Sequence, residues 1–140
     1  MSIRLLWLLF LLPVLVGCAG FGGALETPRK TFESDNVDFM QRLRWKDING
    51  AAQHVAKPRR KAFRDLFVDQ DDLKITDVRL DSVEFSEGGE EVDSTIVIEY
   101  YRLPSTRVRT RCYELHWTFF NADQPTPVGW QITSDIPPIP

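Results

Sequence analysis

The sequence predicts an α+β domain in which N-terminal helices pack on a strongly curved, four-stranded antiparallel meander sheet. Apolar residues between positions 36 and 67 recur with the helical period, whereas after Asp72 they alternate with the period of two expected for strands. Helices followed by a run of strands are typical of the α+β class. The chain has 140 residues, of which 43% are hydrophobic and 26% charged, so we expect one folded domain.

The N-terminal residues predict an export signal. Arg4 precedes an apolar run from Leu5 to Val16, which is shorter than the roughly 20 residues that a membrane-spanning helix needs. The run ends at Leu15-Val16-Gly17-Cys18, which resembles the lipobox of bacterial lipoproteins. This resemblance implies a signal peptide at residues 1–17 and a membrane lipid attached to Cys18.

The resemblance also implies a location. Ala19, rather than aspartate, follows the cysteine, which in lipoproteins favours the outer membrane with the protein facing the periplasm; inner-membrane anchoring is the alternative. Several buried acyl chains, at about 0.8 kcal/mol per methylene, are sufficient for stable attachment. We expect residues 18–35 to form the acylated N-terminus and a flexible tether, and residues 36–140 to form the domain.

Cys112 is the second of the two cysteines in the chain. If Cys18 is acylated, Cys112 has no partner for an intramolecular disulfide. Free cysteines are commonly buried, so we expect an inert, buried thiol. An intermolecular disulfide or a reactive thiol is the alternative.

Three helices are predicted. Ser34 or Asp35 is expected to cap the first and Asp47 the second, and Pro58 is suited to the first position of the third. The predicted core faces are, in chain order, Val37, Phe39, Met40 and Leu43; Ile48, Ala51, Ala52 and Val55; and Ala62, Phe63, Leu66 and Phe67.

Four strands are predicted at about residues 73–85, 92–103, 106–121 and 128–133. Turns at Gly88-Gly89, at Pro104-Ser105 and in the Pro125/Pro127 loop separate them. Strands of this length must twist and curl to stay compact. The parity of the apolar residues changes between Leu80 and Val83, which predicts a bulge near Asp81-Ser82.

Alternation assigns the two faces of the sheet. In the third strand Tyr113, Leu115, Trp117 and Phe119 are expected to face the core, and Thr110, Cys112, Glu114, His116 and Thr118 the solvent. In the second strand Ile96, Ile98 and Tyr100 face the core, which leaves an unusually apolar outer face. The predicted interaction surface, for a partner or a second copy, consists of Val97, Tyr101, Leu103 and Phe120.

Two stretches resemble the NTF2-like (cystatin-like) superfamily. VDFMQRLRWKDINGAAQHV is similar to its opening helices, and GWQIT near the end is similar to its final strand. The resemblance implies a cone-shaped α+β domain. It does not imply one function, because the superfamily includes enzymes, ligand carriers and interaction modules.

A ligand pocket is one possibility within such a cone. The candidates are Tyr100, Tyr113 and Trp117 on its wall, with Arg109 and Arg111 at a mouth that could select an acidic amphiphile. Cross-strand pairing of the arginine row Arg107, Arg109 and Arg111 with carboxylates is the alternative.

No catalytic group is predicted. Asp77, Asp81, Glu84, Glu99 and Glu114 all fall on the solvent side or at the bulge. Cys112 and His116 share a face but lie roughly 13 Å apart along a strand, too far for a nucleophile and its base. His54 and His116 are isolated, so we expect no metal site and no cofactor.

A run of basic residues opens the third predicted helix, where the helix dipole disfavours cations. Its members are Lys57, Arg59, Arg60, Lys61 and Arg64. They either pair with nearby acids such as Asp65 or bind acidic lipid headgroups or a polyanionic envelope component.

The expected function is that of a non-catalytic envelope lipoprotein whose domain binds an unknown envelope protein or forms a homodimer. Binding or transport of a small amphiphilic ligand is the alternative, and an NTF2-like enzyme of unknown reaction is the third. The net charge of −3 argues against nucleic-acid binding.

Overall fold

The structure is a computed structural model that describes residues 28–123 and 127–140. The predicted signal peptide, Cys18 and most of the predicted tether lie outside these residues, as does Pro125. The described helices are α1 (Pro28–Arg44), α2 (Ile48–Ala51) and α3 (Arg60–Asp65), with 3₁₀ turns at Ala52–His54 and Lys57–Arg59. The strands are β1 (Leu73–Phe85), β2 (Glu91–Arg102), β3 (Arg109–Phe120) and β4 (Gly129–Ile132). The predicted α+β class is confirmed.

Residues 28–35 already belong to helix α1, so the predicted cap at Ser34 or Asp35 is wrong and these residues are helical rather than part of a tether. The reason is a set of aromatic contacts with distant strands. The Phe32 ring meets Trp117 and Trp130 edge to face, with ring centroids 5.5 and 5.3 Å apart. The Trp130 indole N–H donates a 2.7 Å hydrogen bond to the Pro28 carbonyl, which fixes the first turn.

The buried face of α1 also differs by one position from the prediction. Phe32, Asn36, Phe39 and Leu43 are buried, whereas Val37 is exposed. Residues three or four positions apart share a helix face. Asn36 lies four positions after the buried Phe32 and three before the buried Phe39, so Asn36 rather than Val37 is on the buried face. The polar Asn36 was not predicted to be buried.

Asp47 caps α2 as predicted. Its carboxylate accepts a 3.0 Å hydrogen bond from the Gly50 N–H. A Cβ atom at Gly50 would collide with that carboxylate and with the Arg42 guanidinium, so any other residue there would displace both groups. Ala51, Ala52 and Val55 are buried as predicted.

The third predicted helix divides into two parts. Pro58 lies in the 3₁₀ turn, and α3 starts only at Arg60. Phe63 is buried, and Leu66 and Phe67 pack against the core, but Ala62 is exposed.

The sheet has the order β1-β2-β3-β4, with each neighbouring pair antiparallel, so the predicted meander is confirmed. The predicted bulge is present as a register shift between Leu80 and Ser82. A second shift, between Ile75 and Asp77, was not predicted. Together the two shifts keep the apolar residues of β1 opposite the core-facing residues of β2.

The helices pack on one face of the sheet, and Trp117 lies at the centre of the core with no exposed surface. Its indole N–H donates a 3.0 Å hydrogen bond to the buried Ser94 hydroxyl. The Phe32 and Phe39 rings meet it edge to face, with centroids 5.5 and 5.7 Å away. The predicted core face of β3 is thereby confirmed.

The domain has two dissimilar ends. Helix α1 runs from one to the other, and its 17 residues give a separation of about 25 Å. At one end, Trp130 holds Pro28 and Arg29 lies over the Phe85 ring; we call this the hairpin end because the β1–β2 turn is there. At the other end, the Lys46 ammonium donates to the carbonyls of Gln70 and Leu73, joining the end of α1 to the start of β1.

Candidate functional site

The predicted pocket wall is part of the packed core. Trp117, Tyr100 and Tyr113 are 0%, 1% and 5% exposed. The cavity beside Tyr113, between the helices and the sheet, has a volume of about 10 Å³. Such a space holds one water molecule at most. In the described part of the chain these three residues therefore stabilise the fold and line no ligand-sized space.

Residues 135–140, which we call the strap, close this region. Ile136 and Ile139 pack against the core, and the Tyr113 hydroxyl donates to the Pro138 carbonyl at 3.4 Å. Arg59 forms an ion pair with Asp135 at the start of the strap. The chain thus covers with its own residues the apolar surface that an open cone would offer to a ligand.

Arg102 holds the far part of the strap. Its Nη2 donates to the Ile139 carbonyl at 2.8 Å, and its Nε donates to the Pro140 carbonyl at 3.1 Å. Its Nη1 lies 3.0 Å from both carboxylate oxygens of Asp72, and its Nη2 also donates to the Gln70 side chain at 2.7 Å. Sequence reasoning missed Arg102, although its parity on β2 places it on the core face, where an arginine needs partners.

Arg109 and Arg111 have the same parity as the core-facing residues of β3. They lie at the start of the strand, before its buried part, and both are exposed. They stand opposite Tyr100 and Ile98 in the register, so no carboxylate faces them on β2. Within residues 28–123 and 127–140, neither these two side chains nor that of Arg107 forms an ion pair. The predicted cross-strand pairing is thus not observed among the described residues.

Exposed apolar side chains lie at the same end of the fold as these arginines. Trp45 is 78% exposed where α1 ends, and Val68 is exposed in the loop after α3. Leu103 and Val108, also exposed, flank the β2–β3 connection, and the Leu103 N–H donates to the Asp72 carbonyl. We call these four residues, with Arg107, Arg109 and Arg111, the docking end.

The predicted interaction surface on the outer face of β2 is only partly exposed. Val97 is buried because, in a central strand, it lies between Arg79 and Cys112 and beside the 2.7 Å Arg79–Glu99 ion pair. Tyr101 and Phe120 are half-buried. Of the four predicted residues Leu103 alone is exposed, so little of the predicted interaction surface is accessible.

The predicted basic patch is largely paired within the fold. Arg59 pairs with Asp135, and Lys61 pairs with Asp65 at 2.7 Å. Arg60 turns back and donates to the carbonyls of Val55 and Gln53. These contacts satisfy the cations where the helix dipole disfavours them; Lys57 and Arg64 form no ion pair with another described residue.

Cys112 is exposed, so the expectation of a buried thiol is wrong. Cys112 alternates with the buried Tyr113 on β3, so its side chain lies on the solvent side of the sheet although free cysteines are usually buried. On the same face His116 forms a 2.7 Å contact with Asp93, not with Cys112. Within the described ranges no group of three or more His, Cys, Asp or Glu residues could hold a metal ion.

A cluster around His54 was not predicted from the sequence. His54 and Arg42 both contact the Asp38 carboxylate, at 2.7 and 2.6 Å. The hydrogen bond from Arg42, followed by that from His54, lowers the pKa of Asp38. Burial raises the pKa of the nearby Asp35, and the His54 charge opposes this shift only in part. The i, i+3 spacing of the two aspartates is visible in the sequence, but the approach of His54 is not.

The raised pKa of Asp35 predicts a pH-dependent effect of Asp35→Asn. Above the unfolded pKa of 3.8, the unfolded chain releases the Asp35 proton that the folded chain still holds, so the contribution of Asp35 to wild-type stability falls as pH rises through this window. Because the variant lacks this decline, we expect its stability relative to wild type to increase between pH 3.5 and pH 7, roughly the range that spans the carboxyl titration. Urea midpoints measure this, and a pH-independent difference would contradict it.

Comparison with known protein families finds no matching family model, and comparison with curated proteins finds no match either. No helix in the described ranges is both long enough and apolar enough to span a membrane. The site must therefore be interpreted from its own geometry.

Proposed function

We propose that this chain is a membrane-anchored envelope lipoprotein whose folded domain is a non-catalytic module that binds an acidic envelope protein through the docking end. The Leu15–Cys18 lipobox supports acylation of Cys18 and attachment to the outer membrane, facing the periplasm. The helix-first order and the four-stranded meander support an NTF2-like domain.

The observation that most strongly supports this proposal is the exposure of Trp45. A tryptophan that is 78% exposed leaves a large apolar surface in water, and it lies at the same end as three exposed arginines. Tryptophan and arginine are the residues most enriched among those that dominate binding energies. The packed interior, with its 10 Å³ cavity, favours this function over ligand transport.

Charge indicates the partner's chemistry. Arg107, Arg109 and Arg111 pair with no described carboxylate, so acidic groups on a partner would complement them. Exposed acidic residues are more numerous at and near the hairpin end, where they are Glu84, Glu87, Glu90, Glu91 and Asp93; the docking end carries Asp69 and Asp71 beside Val68 in addition to its three arginines. An acidic protein would thus be attracted to the docking end and repelled by the hairpin end.

The proposed anchor joins the domain at the end opposite the docking end. Residues 19–27 between Cys18 and α1 can reach about 30 Å when fully extended. They join the domain at Pro28, at the hairpin end, and the length of α1 separates that end from the docking end. The anchor therefore leaves the docking end free to reach other envelope proteins on the same membrane.

Site-specific photo-crosslinking in cells tests the module. A photoreactive residue at Val108 is expected to capture a defined protein, whereas one at Gly88, in the hairpin turn, is not. Arg109→Glu with Arg111→Glu should reduce the Val108 adduct at least about tenfold, because close like charges oppose association. Equal capture from both positions, or an adduct unchanged by the charge reversal, would contradict the proposal.

Two controls accompany this experiment. Lys57→Glu with Lys61→Glu makes the same charge change in the predicted basic patch and should leave the adduct unchanged. Cys18→Ser tests the anchor separately, since the variant should leave the membrane fraction. Continued sedimentation of Cys18→Ser with membranes would contradict acylation while leaving the docking end testable.

A further inference from the structure

The strap occupies a groove between the helices and the sheet. Ile136 and Ile139 are its two apolar contacts, and both pack against the core. The groove presents Leu43 and Phe63 from the helices, Leu66 and Phe67 from the turn after α3, and Ile98 and Tyr113 from the sheet. With the strap in place, a cavity of about 10 Å³ remains, so this segment fits the groove closely.

The sequence of the strap makes it an extended ligand. Residues 135–140 read Asp-Ile-Pro-Pro-Ile-Pro and belong to no helix or strand. Proline fixes its own φ and disfavours helical backbone in the residue before it, so Ile136, Pro137 and Ile139 are all held extended. In a polyproline II conformation, with about three residues per turn, Ile136 and Ile139 fall on the same side.

The protein recognises the strap's main chain with side-chain donors. Tyr113 donates to the Pro138 carbonyl, and Arg102 donates to the carbonyls of Ile139 and Pro140. Within the described ranges, residues 135–140 form no backbone hydrogen bond with the sheet; the last is from the Thr133 N–H to the His116 carbonyl. Donors to proline-segment carbonyls and an apolar groove for two side chains are the elements of polyproline II recognition.

We propose that this groove is a peptide-binding site, occupied in cis by residues 135–140, that accepts in trans an extended segment of a partner protein with two aliphatic residues flanking a Pro-Pro pair. The inference rests on the proposed function and names the chemistry of the partner's docking segment. Each contact that holds the strap is made by its own isoleucines, carbonyls or Asp135, so a segment of another chain can reproduce all of them. The strap is then a built-in competitor for the partner.

The test uses the full chain carrying Cys18→Ser and a labelled peptide, Ser-Asp-Ile-Pro-Pro-Ile-Pro, which copies residues 134–140. In the variant Ile136→Ser with Ile139→Ser, the strap loses its apolar contacts and frees the groove. We expect this variant to bind the peptide at least about tenfold more tightly than the unsubstituted chain, because an intramolecular competitor acts at an effective concentration near millimolar. Fluorescence anisotropy measures the difference.

Matched controls make the result specific. Val68→Ser with Leu103→Ser removes exposed apolar groups at the docking end and should bind the peptide as weakly as the unsubstituted chain. A peptide with both isoleucines replaced by serine should not bind the detached variant. If the detached variant is folded by near-ultraviolet circular dichroism and binds neither peptide, or both equally, the proposal is overturned.

Two further measurements cover other outcomes. If the detached variant does not fold, the unsubstituted chain is titrated with several millimolar peptide, near the effective concentration of the strap. The Ile139 methyl resonances are then expected to move to their unfolded positions, and unchanged resonances overturn the proposal. A native mass spectrum showing a dimer that peptide dissociates would identify the occupant as a second copy and also overturn it.

The failure of this proposal differs from failure of the proposed function. Loss of crosslinking at Val108 with peptide binding intact would contradict binding of a partner through the docking end. Crosslinking at Val108 that persists without peptide binding would support the docking end as the binding surface and contradict the groove as a peptide-binding site.

Discussion

Replacing Trp117 by alanine is expected to lower the free energy of unfolding by about 3–5 kcal/mol. Trp117 has no exposed surface, and the rings of Phe32 and Phe39 pack against it. The change leaves a large cavity at the junction of α1 and the sheet. It also removes the indole donor to the buried Ser94 hydroxyl, which loses its partner. Urea denaturation followed by far-ultraviolet circular dichroism measures the loss.

Trp45→Ala is the matched control, because it deletes the same side chain where that chain is 78% exposed. Its effect on stability should stay within about 0.5 kcal/mol, as for other surface substitutions. A loss similar to that of Trp117→Ala would mean that Trp45 is packed rather than exposed, and the docking end would lose its main feature.

Arg102→Met is expected to lower the free energy of unfolding by about 2 kcal/mol, since hydrogen bonds to charged groups are each worth more than neutral ones. The guanidinium, 25% exposed, bonds to Asp72, to Gln70 and to two strap carbonyls. Methionine replaces the aliphatic stem of arginine with an unbranched apolar side chain of similar length and removes every donor. Urea midpoints report the stability, and the Ile139 methyl resonances report whether the strap detaches.

Arg79→Met provides the control for Arg102, because Arg79 also forms an ion pair across β1 and β2 but is more exposed. Solvent screens such a pair, so its removal should shift the urea midpoint far less. Equal shifts for the two variants would mean that the strap contacts of Arg102 add nothing to stability.

The strands show what local pattern predicts. The bounds of β1 and β2 match the predicted ones closely, and the bulge at Asp81-Ser82 followed from a change of parity alone. The second bulge, near Thr76, has the same signal, because the apolar residues Leu73 and Ile75 lie at odd positions and Val78 and Leu80 at even ones, but the prediction used only the later change. Side-chain alternation reveals a bulge only where apolar residues stand on both sides of it.

The candidate site was much less predictable. Arg109 and Arg111 were found from their position in line with the core residues of β3, and Leu103 from the outer parity of β2. Trp45 was not singled out, because a tryptophan beside the end of an amphipathic helix has the same local pattern whether it is buried or exposed. Arg102, His54 and Asp38 act through partners that are distant along the chain, which no local period records.

By itself the sequence determined the class of the fold, the order of its elements, the inner faces of β2 and β3 and the cap at Asp47, because these follow from spacing between near neighbours. The tertiary structure alone decided that residues 28–35 are helical, whether the interior is open, and which cations are paired. Those outcomes depend on contacts such as Trp130 with Pro28 and Arg102 with Ile139, whose partners meet only after the sheet has formed. The interior is closed because the chain folds its own residues 135–140 over it.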